Sequence, residues 1–368
     1  MDYRLNELRF DGLQLDFPVV QAALSGYSDM PMRLIARRLG APYTLCEVML
    51  DKFVAELKPR RKNRHFLWVN EQEHPVGGQL MGADPEMFAP AAQRLVEHGF
   101  DVIDINFGCP VKKVLGRCRG GFHLSQPPVA LEIIRRVRDA VPAEIPVTVK
   151  MRRGIDDSFE SRDKFYEIFD GAYDLGVAAI TVHGRTVQQR YDGPSRWEFL
   201  RELKQYAGER VVLGSGDLFT AQACLDMIHY TGVDGVTVAR GAIGNPWIFG
   251  QVRALARGAP LPEPPTLYEQ RDVITEHYRL AEELYGPQRC LPDMRKFAIK
   301  YSQLHPSYEQ VRADFCSVKQ PGAWREVLER WYAVERPGVH PSVSEHNPRS
   351  TEVEPAAQPP VIESLSLR

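Results

Sequence analysis

From about residue 18 to 250, short apolar runs alternate with longer stretches whose apolar residues recur at helical spacing. The runs are "VVQAAL" from Val19, "YTLCEV" from Tyr43, "VGGQLM" from Val76, "VIDINF" from Val102, "VTVKM" from Val147, "AITVHG" from Ala179, "VVLGSG" from Val211 and "GVTVAR" from Gly235. They are short, β-branched and almost continuously apolar, as strands buried on both faces must be. Between them, "PEMFAPAAQRLVEHG" from Pro85, "PPVALEIIRRVRDAV" from Pro127 and "TAQACLDMIHYTG" from Thr220 read as amphipathic helices. The helix after the second strand is the least defined. Eight strand–helix units predict an α/β fold, a (β/α)8 TIM barrel over residues 1–258. A doubly wound sheet is the alternative, but the first strand–helix turn, "ALSGYSDMP", lacks the Gly-rich fingerprint of that fold.

After Ala259 the pattern changes. "PLPEPPTL" is a proline-rich linker, and "LYEQRDVITEHYRLAEELYG", "DMRKFAIKYSQL" and "AWREVLERWYAVE" read as helices without strands between them. Residues 259–336 are therefore expected to form a small all-helical domain. The tail, 337–368, is rich in Pro, Ser and Glu and is expected to be disordered.

Composition narrows the class without naming a function. The chain has 368 residues, with 46 Lys+Arg against 48 Asp+Glu, so no global charge marks it as a nucleic-acid binder. Local basic faces remain open, and "LKPRRKNRHF" from Leu57 reads either as a solvated face or as an RNA contact. Cys46, Cys109, Cys118, Cys224, Cys290 and Cys316 form no C-x-x-C pair, which argues against a metal ribbon or a dithiol redox motif. No apolar run approaches a membrane span, and the N-terminus lacks a signal-peptide core. Free thiols then suggest a reducing, cytoplasmic setting, with no membrane and no metal, and a monomer is expected.

In a parallel barrel the active site lies where the strands end. Those ends carry Gln79, Asn106 and Cys109, Lys150 and Arg152, His183 and Arg185, then "GSGD" up to Asp217, and "ARGAIGNPW" from Ala239. Burying so many polar groups on one face is costly unless they meet a polar ligand. The small residues of "GSGD" and the Arg240-Gly241 pair suggest a phosphate site after strands 7 and 8. A lone strand-end cysteine is often inert. Cys109 is set apart by Asn106 and Pro110, and by the basic residues Lys112, Lys113, Arg117 and Arg119 that follow. Cys118, in the same loop, is its rival. His183 taken alone fits a satisfied core histidine.

The motifs "INFGCPVKKV", "VTVKMRRG", "TVHGRTVQQRYDG", "SGD" and "ARGAIGNPWIF", in this order, resemble the FMN-dependent tRNA-dihydrouridine synthase family from about Pro18 to Tyr332. The resemblance implies reduction of specific uridines to 5,6-dihydrouridine in tRNA, with FMN as cofactor and NADPH as electron donor. It implies hydride transfer from flavin N5 to C6 and a proton from Cys109 to C5. Ala22, Ala23, Leu24, Gln79, Asn106, Lys150, His183, Ser215, Gly216, Asp217, Ala239, Arg240 and Gly241 would contact the flavin. Lys112, Lys113, Arg152, Arg185, Lys296 and Tyr301 would contact RNA. The chemistry is coherent: an ordinary thiol, pKa about 8.5, is largely protonated at neutral pH and able to act as a general acid. The chain departs from the family at Ala22-Ala23-Leu24, where Ala-Pro-Met is usual, and at Lys296-Phe297, where Lys-His is usual. Two other functions fit the same fold: an FMN barrel acting on a free pyrimidine or another small unsaturated molecule, and a non-catalytic RNA-binding homologue.

Overall fold

A computed structural model describes residues 5–58 and 61–342. Its centre is a closed barrel of eight parallel strands: β1 (Val19–Gln21), β2 (Thr44–Leu45), β3 (Val76–Met81), β4 (Val102–Phe107), β5 (Val147–Arg152), β6 (Ala179–His183), β7 (Val212–Ser215) and β8 (Gly235–Val238). Each strand pairs with the next, and β1 pairs with β8, so the sheet has no free edge. All eight predicted strands are present. The second is shorter than its apolar run because the chain leaves the ladder after Cys46, whose N–H still donates to the Gly77 carbonyl. It rejoins β3 only at Met49–Leu50, so Glu47 and Val48 project beyond the barrel rim.

Helices follow the strands on the outside: α1 (Met30–Arg38), α2 (Asp51–Ala55), α3 (Pro85–Glu97), α4 (Pro127–Ala140), α5 (Phe159–Asp174), α6 (Trp197–Ala207), α7 (Ala221–Thr231) and α8 (Ile248–Ala256). The poorly defined second helix is the five-residue α2. Outward-facing strand residues such as Val149, Ile180 and Val236 pack against apolar helix faces such as Ile133, Phe165 and Leu225, all fully buried. An N-terminal hairpin, Leu8–Phe10 with Leu13–Leu15, closes the far end of the barrel. Its Leu8, Phe10 and Leu15 cluster with the inward-facing Val20, Leu45, Val102 and Leu213. With that end filled by hydrocarbon, only the other end is left open to a ligand.

The helical domain contains α9 (Leu267–Tyr285), α10 (Cys290–Tyr301), α11 (Tyr308–Ser317) and α12 (Pro321–Trp331). The sequence pattern misses α11 because only Val311 and Phe315 of it are buried, too few to show a period. The domain sits on the open end of the barrel. Arg38 reaches Glu276 at 2.8 Å, the Tyr285 hydroxyl donates to Asp29 at 2.9 Å, and Gln303 Nε2 donates to the Ile243 carbonyl at 3.1 Å. Past the domain, Val339 N–H donates to the Leu304 carbonyl, and the rest of the expected tail, 343–368, lies outside the described residues. Among the described residues no helix is long and apolar enough to cross a membrane.

The seam between the two parts is tightest at Gly244. Its φ is +74°, and a Cβ there would lie 2.3 Å from the Lys300 carbonyl carbon. Gly244→Ala adds both backbone strain and a clash with main chain that has no rotamer to yield. It should lower unfolding stability by about 1–3 kcal/mol, measured by denaturant titration; an unchanged midpoint would show that the helical domain is not held at this point.

Candidate active site

The open end of the barrel holds a cavity of about 550 Å³. Strand register explains what lines it. Asn106 is beside Lys150, and two residues further along Arg152 is beside His183 and His183 beside Ser215, so four consecutive strands present polar side chains at the same end of the barrel. Gln79, Asn106, Cys109, Lys150, Arg152, His183, Ser215, Gly216, Asp217, Ala239, Arg240 and Gly241 all line the cavity, as do Ala23 and Leu24. Ala22 does not. It is fully buried one position earlier, where its N–H donates to the Val238 carbonyl within the barrel wall.

A chain of buried hydrogen bonds leads to the thiol. Thr148 Oγ1 donates to Asp104 Oδ1 at 2.5 Å, and Gln79 Nε2 donates to Asp104 Oδ2 at 2.6 Å. Asn106 Nδ2 then donates to Gln79 Oε1 at 2.8 Å. Asn106 Oδ1 accepts from the Gly108 and Cys109 N–H groups at 2.9 and 3.1 Å, which holds the turn that carries the thiol. Arg152 grips the same turn from the other side: its Nε donates to the Gly108 carbonyl at 3.0 Å, and its Nη1 to the Thr186 and Arg190 carbonyls at 2.7 Å. Cys109 itself is half-buried at the cavity wall, whereas Cys118 is exposed. Cys118 is absent from the cavity lining, so geometry favours Cys109.

Burial sets the charge state of these groups. It pushes the Asp104 carboxyl up to about 6, despite the Thr148 and Gln79 donors. It pulls the Lys150 ammonium down to about 8, with Arg152 adding repulsion and Asp104 opposing it. Arg152 is likewise lowered to about 10 by burial. His183 is held well below its ordinary value by burial and by the cations Arg152, Lys150 and Arg185, so it is neutral at pH 7. Arg185 Nη1 lies 3.3 Å from His183 Nε2 and can only donate, which assigns the imidazole proton to Nδ1.

Opposite the thiol is a cradle of backbone. Gly216 (φ +117°) and Asp217 (φ +60°) turn the chain after β7, and a Cβ on Gly216 would lie 2.8 Å from the His183 ring. At Gly241 a Cβ would lie 2.1 Å from the Leu218 carbonyl oxygen, so only glycine fits there. The Arg240 guanidinium lies over the Tyr191 and Phe219 rings, 4.8 and 4.9 Å from their centroids. Thr237 Oγ1, at the base of the cavity, is buried without a hydrogen-bond partner.

Several expected RNA contacts are relocated. Arg185 is fully buried and does not line the cavity: its Nη2 binds Asp217 Oδ2 at 2.8 Å, and its Nε donates to the Gly193 carbonyl. It supports His183 and Asp217 from behind. The Asp217 carboxylate also accepts from the Ser195 N–H at 2.7 Å, so only its backbone is left for an anion. Tyr301 is 2 % exposed, with its hydroxyl 3.0 Å from His277 Nδ1, so it packs inside the helical domain. Lys296 is half-buried, 3.1 Å from Asp293, and lies over the Tyr27 ring. Arg119 points inward toward Asp51, with a buried Nε. Lys112 and Lys113 are exposed on a single-turn helix beside the cavity rim.

Tyr191 of the lining and Asp104 beneath it escaped the sequence reading. Tyr191, 45 % exposed at the rim, stands 5.6 Å from Arg152 as well as near Arg240. It lies inside the "TVHGRTVQQRYDG" motif, but a tyrosine in a loop gives no periodic signal. Asp104 was hidden inside an apolar strand. Among the described residues no group of three or more His, Cys, Asp or Glu could hold a metal ion.

Comparison with known proteins agrees with this architecture. A family model described as dihydrouridine synthase matches residues 20–335. A probable tRNA-dihydrouridine synthase of Mycobacterium tuberculosis is 34% identical over 321 residues, covering 85% of this chain and 81% of the relative. One of Rickettsia prowazekii is 31% identical, covering 88% and 97%. A tRNA-dihydrouridine synthase B of Xanthomonas campestris is 33% identical, covering 88% and 95%. Among solved structures, an old yellow enzyme homologue from Zymomonas mobilis superposes with a TM-score of 0.52 at 14% identity, over 71% of this chain and 94% of that one. A histamine dehydrogenase from Rhizobium does so with 0.54 at 13%, over 76% and 51%; both likenesses are of fold.

Two outcomes test the buried network. Arg185→Ala removes the nearer of two guanidiniums beside Asp217, leaving Arg240 at 3.7 Å, and the lost charged hydrogen bonds should cost about 1–3 kcal/mol; a loss under about 0.5 kcal/mol in denaturant unfolding would refute the pairing. Asp104, with its folded pKa above the unfolded one, favours the fold fully below about pH 4. That contribution is lost as pH rises through about 6. The stability of the wild type relative to Asp104→Asn should therefore fall between these pH values and be level above them. A difference that is flat over this range in unfolding titrations would contradict the assignment.

Proposed function

The chain belongs to the dihydrouridine synthase family, and from that premise we propose that it reduces uridines of tRNA to 5,6-dihydrouridine with FMN as cofactor and NADPH as the source of electrons. The observation that carries this reading is the placement of one thiol, on a turn capped by Asn106, across the cavity from the Gly216–Arg240 cradle.

The residues present fit a flavin with a single phosphate. The two glycine approaches leave backbone N–H groups open to an anion, Arg240 adds a cation, and the buried Thr237 hydroxyl still lacks a partner. Gln79, Lys150 and His183 form the wall for the isoalloxazine, and the partly charged Lys150 suits a ring that gains negative charge on reduction. Bound there, reduced flavin supplies a hydride to C6 of uracil.

The protein's own groups do the rest. Asn106 and Arg152 clamp the Gly108–Cys109 peptide from two sides, so the thiol is held and the reacting distance is set by rigid strands. The Cys109 thiol donates its proton to C5 and solvent returns it. His183, neutral with its proton on Nδ1, serves as a hydrogen-bonding wall and leaves the acid role to the thiol. Arg152 and Tyr191 at the rim contact the uracil. Lys112 and Lys113, exposed outside the cavity, meet RNA phosphates.

Cys109→Ala should retain FMN and still be reduced by NADPH, while its reoxidation by unmodified tRNA slows about 10²–10⁴-fold, the usual range for a lost general acid. Single-turnover flavin absorbance measures both half-reactions. An unchanged reoxidation rate would sink the thiol assignment, and oxidation by free uridine as fast as by tRNA would favour a small-molecule reductase. Lys112→Ala with Lys113→Ala should weaken tRNA binding and flatten its dependence on salt, leaving flavin reduction intact. Equal loss of both activities would show damage to the fold instead.

A further inference from the structure

A second cavity, about 300 Å³, opens beside the first and is unused by the proposed reaction. Val48 lines both, so they share part of a wall. The cavity exists because the chain leaves the barrel ladder after Cys46: Glu47 and Val48 project over the rim, and the end of α9 closes the other side with Tyr285. Resting on the uridine-reducing reading above, we propose that this cavity receives the base of a nucleotide next to the reduced uridine, and that its acidic edge selects guanine.

Three properties of the cavity lead there. Its wall is aromatic: Phe53 and Phe66 meet edge to face at 4.8 Å, His65 lies 4.0 Å from Phe66, and Phe53 is 37 % exposed. Unpaired bases are held on such surfaces, where stacking is tolerant of sequence. Second, the polar edge is anionic and built of acceptors. Asp29 is 6 % exposed, with Oδ1 accepting from the Met32 N–H and Oδ2 from Tyr285. Glu47 accepts from the Gly26 backbone N–H. Burial raises both carboxyls, Asp29 to about 6. Among the described residues, the guanidinium in the wall is already committed, since Arg33 binds both Glu73 oxygens and the Ser28 and Trp68 carbonyls. Lys296 acts on both carboxylates only at longer range.

Third, the spacing suits adjacent nucleotides. Stacked neighbours are about 3.4 Å apart and splayed ones further, so two bases from one strand can enter cavities that share a wall. Of the four bases, guanine places an N–H and an NH2 side by side, which two carboxylate oxygens accept together. Uracil flanks its single N–H with carbonyls, while adenine and cytosine set a ring acceptor beside their amine, and each of these would face a carboxylate with a lone pair.

The test is a pool of full-length tRNA transcripts in which inosine, lacking the 2-amine, replaces guanosine at random. The pool is reacted with the FMN-loaded wild type and with Glu47→Gln, and the molecules that acquire dihydrouridine are sequenced. The wild type should disfavour inosine about tenfold at one position within two nucleotides of the reduced uridine, the low end of a bidentate base contact. Glu47→Gln should lose that discrimination at that position alone. Phe66→Leu, which keeps the carboxylates and removes the ring, should weaken reaction of guanosine and inosine transcripts alike. Interference that is absent near the uridine, or equal in wild type and Glu47→Gln, overturns the guanine site and leaves uridine reduction standing. A pool in which no uridine is reduced, by an enzyme whose flavin still accepts electrons from NADPH, overturns the uridine-reducing reading and this proposal with it.

Discussion

The active end of the molecule depends on one requirement: polar side chains at the ends of a closed parallel barrel have little water to bind, so they must bind one another. The run from Thr148 through Asp104, Gln79 and Asn106 to the Cys109 N–H is the result. Each member is oriented by the one below it. Asp104 remains at the bottom although burial disfavours its charge, because both its oxygens have donors and Lys150 lies near. The thiol is placed at the top of this column without being part of it.

A second column does the same work across the cavity. Arg185 is entirely buried, yet it ties the Gly193 carbonyl, the His183 ring and the Asp217 carboxylate together. Asp217 sits at φ +60°, a conformation that a side chain tolerates only when its surroundings enforce it. The guanidinium and the Ser195 N–H supply that enforcement. The turn after β7 is held in place by a buried cation.

The helical domain extends this end of the barrel. It adds Lys300 to the first cavity and Tyr285 to the second, and its position follows from the close approach of Gly244 to Lys300. Two cavities that share Val48 in their walls then lie on one face.

Much of this was legible in the sequence, because buried parallel strands have few alternatives: eight β-branched runs with helical spacers specify a barrel, and the polar residues that end those runs must converge. Gln79, Asn106, Cys109, Lys150, Arg152, His183 and Arg240 were located by that logic. What the sequence left open was direction. Nothing in "HGRT" distinguishes a side chain that lines a cavity, such as His183, from one that backs it, such as Arg185. Nothing in "IKYSQL" distinguishes Lys300 at the cavity from Tyr301 packed against His277. Neighbours on a helix point about 100° apart, and which of them meets a ligand depends on where the helix is docked. The second cavity was invisible for the same reason. Asp29, Glu47, Phe66 and Tyr285 come together only when a short second strand, a loop and a distant helix meet, and no local pattern encodes that meeting.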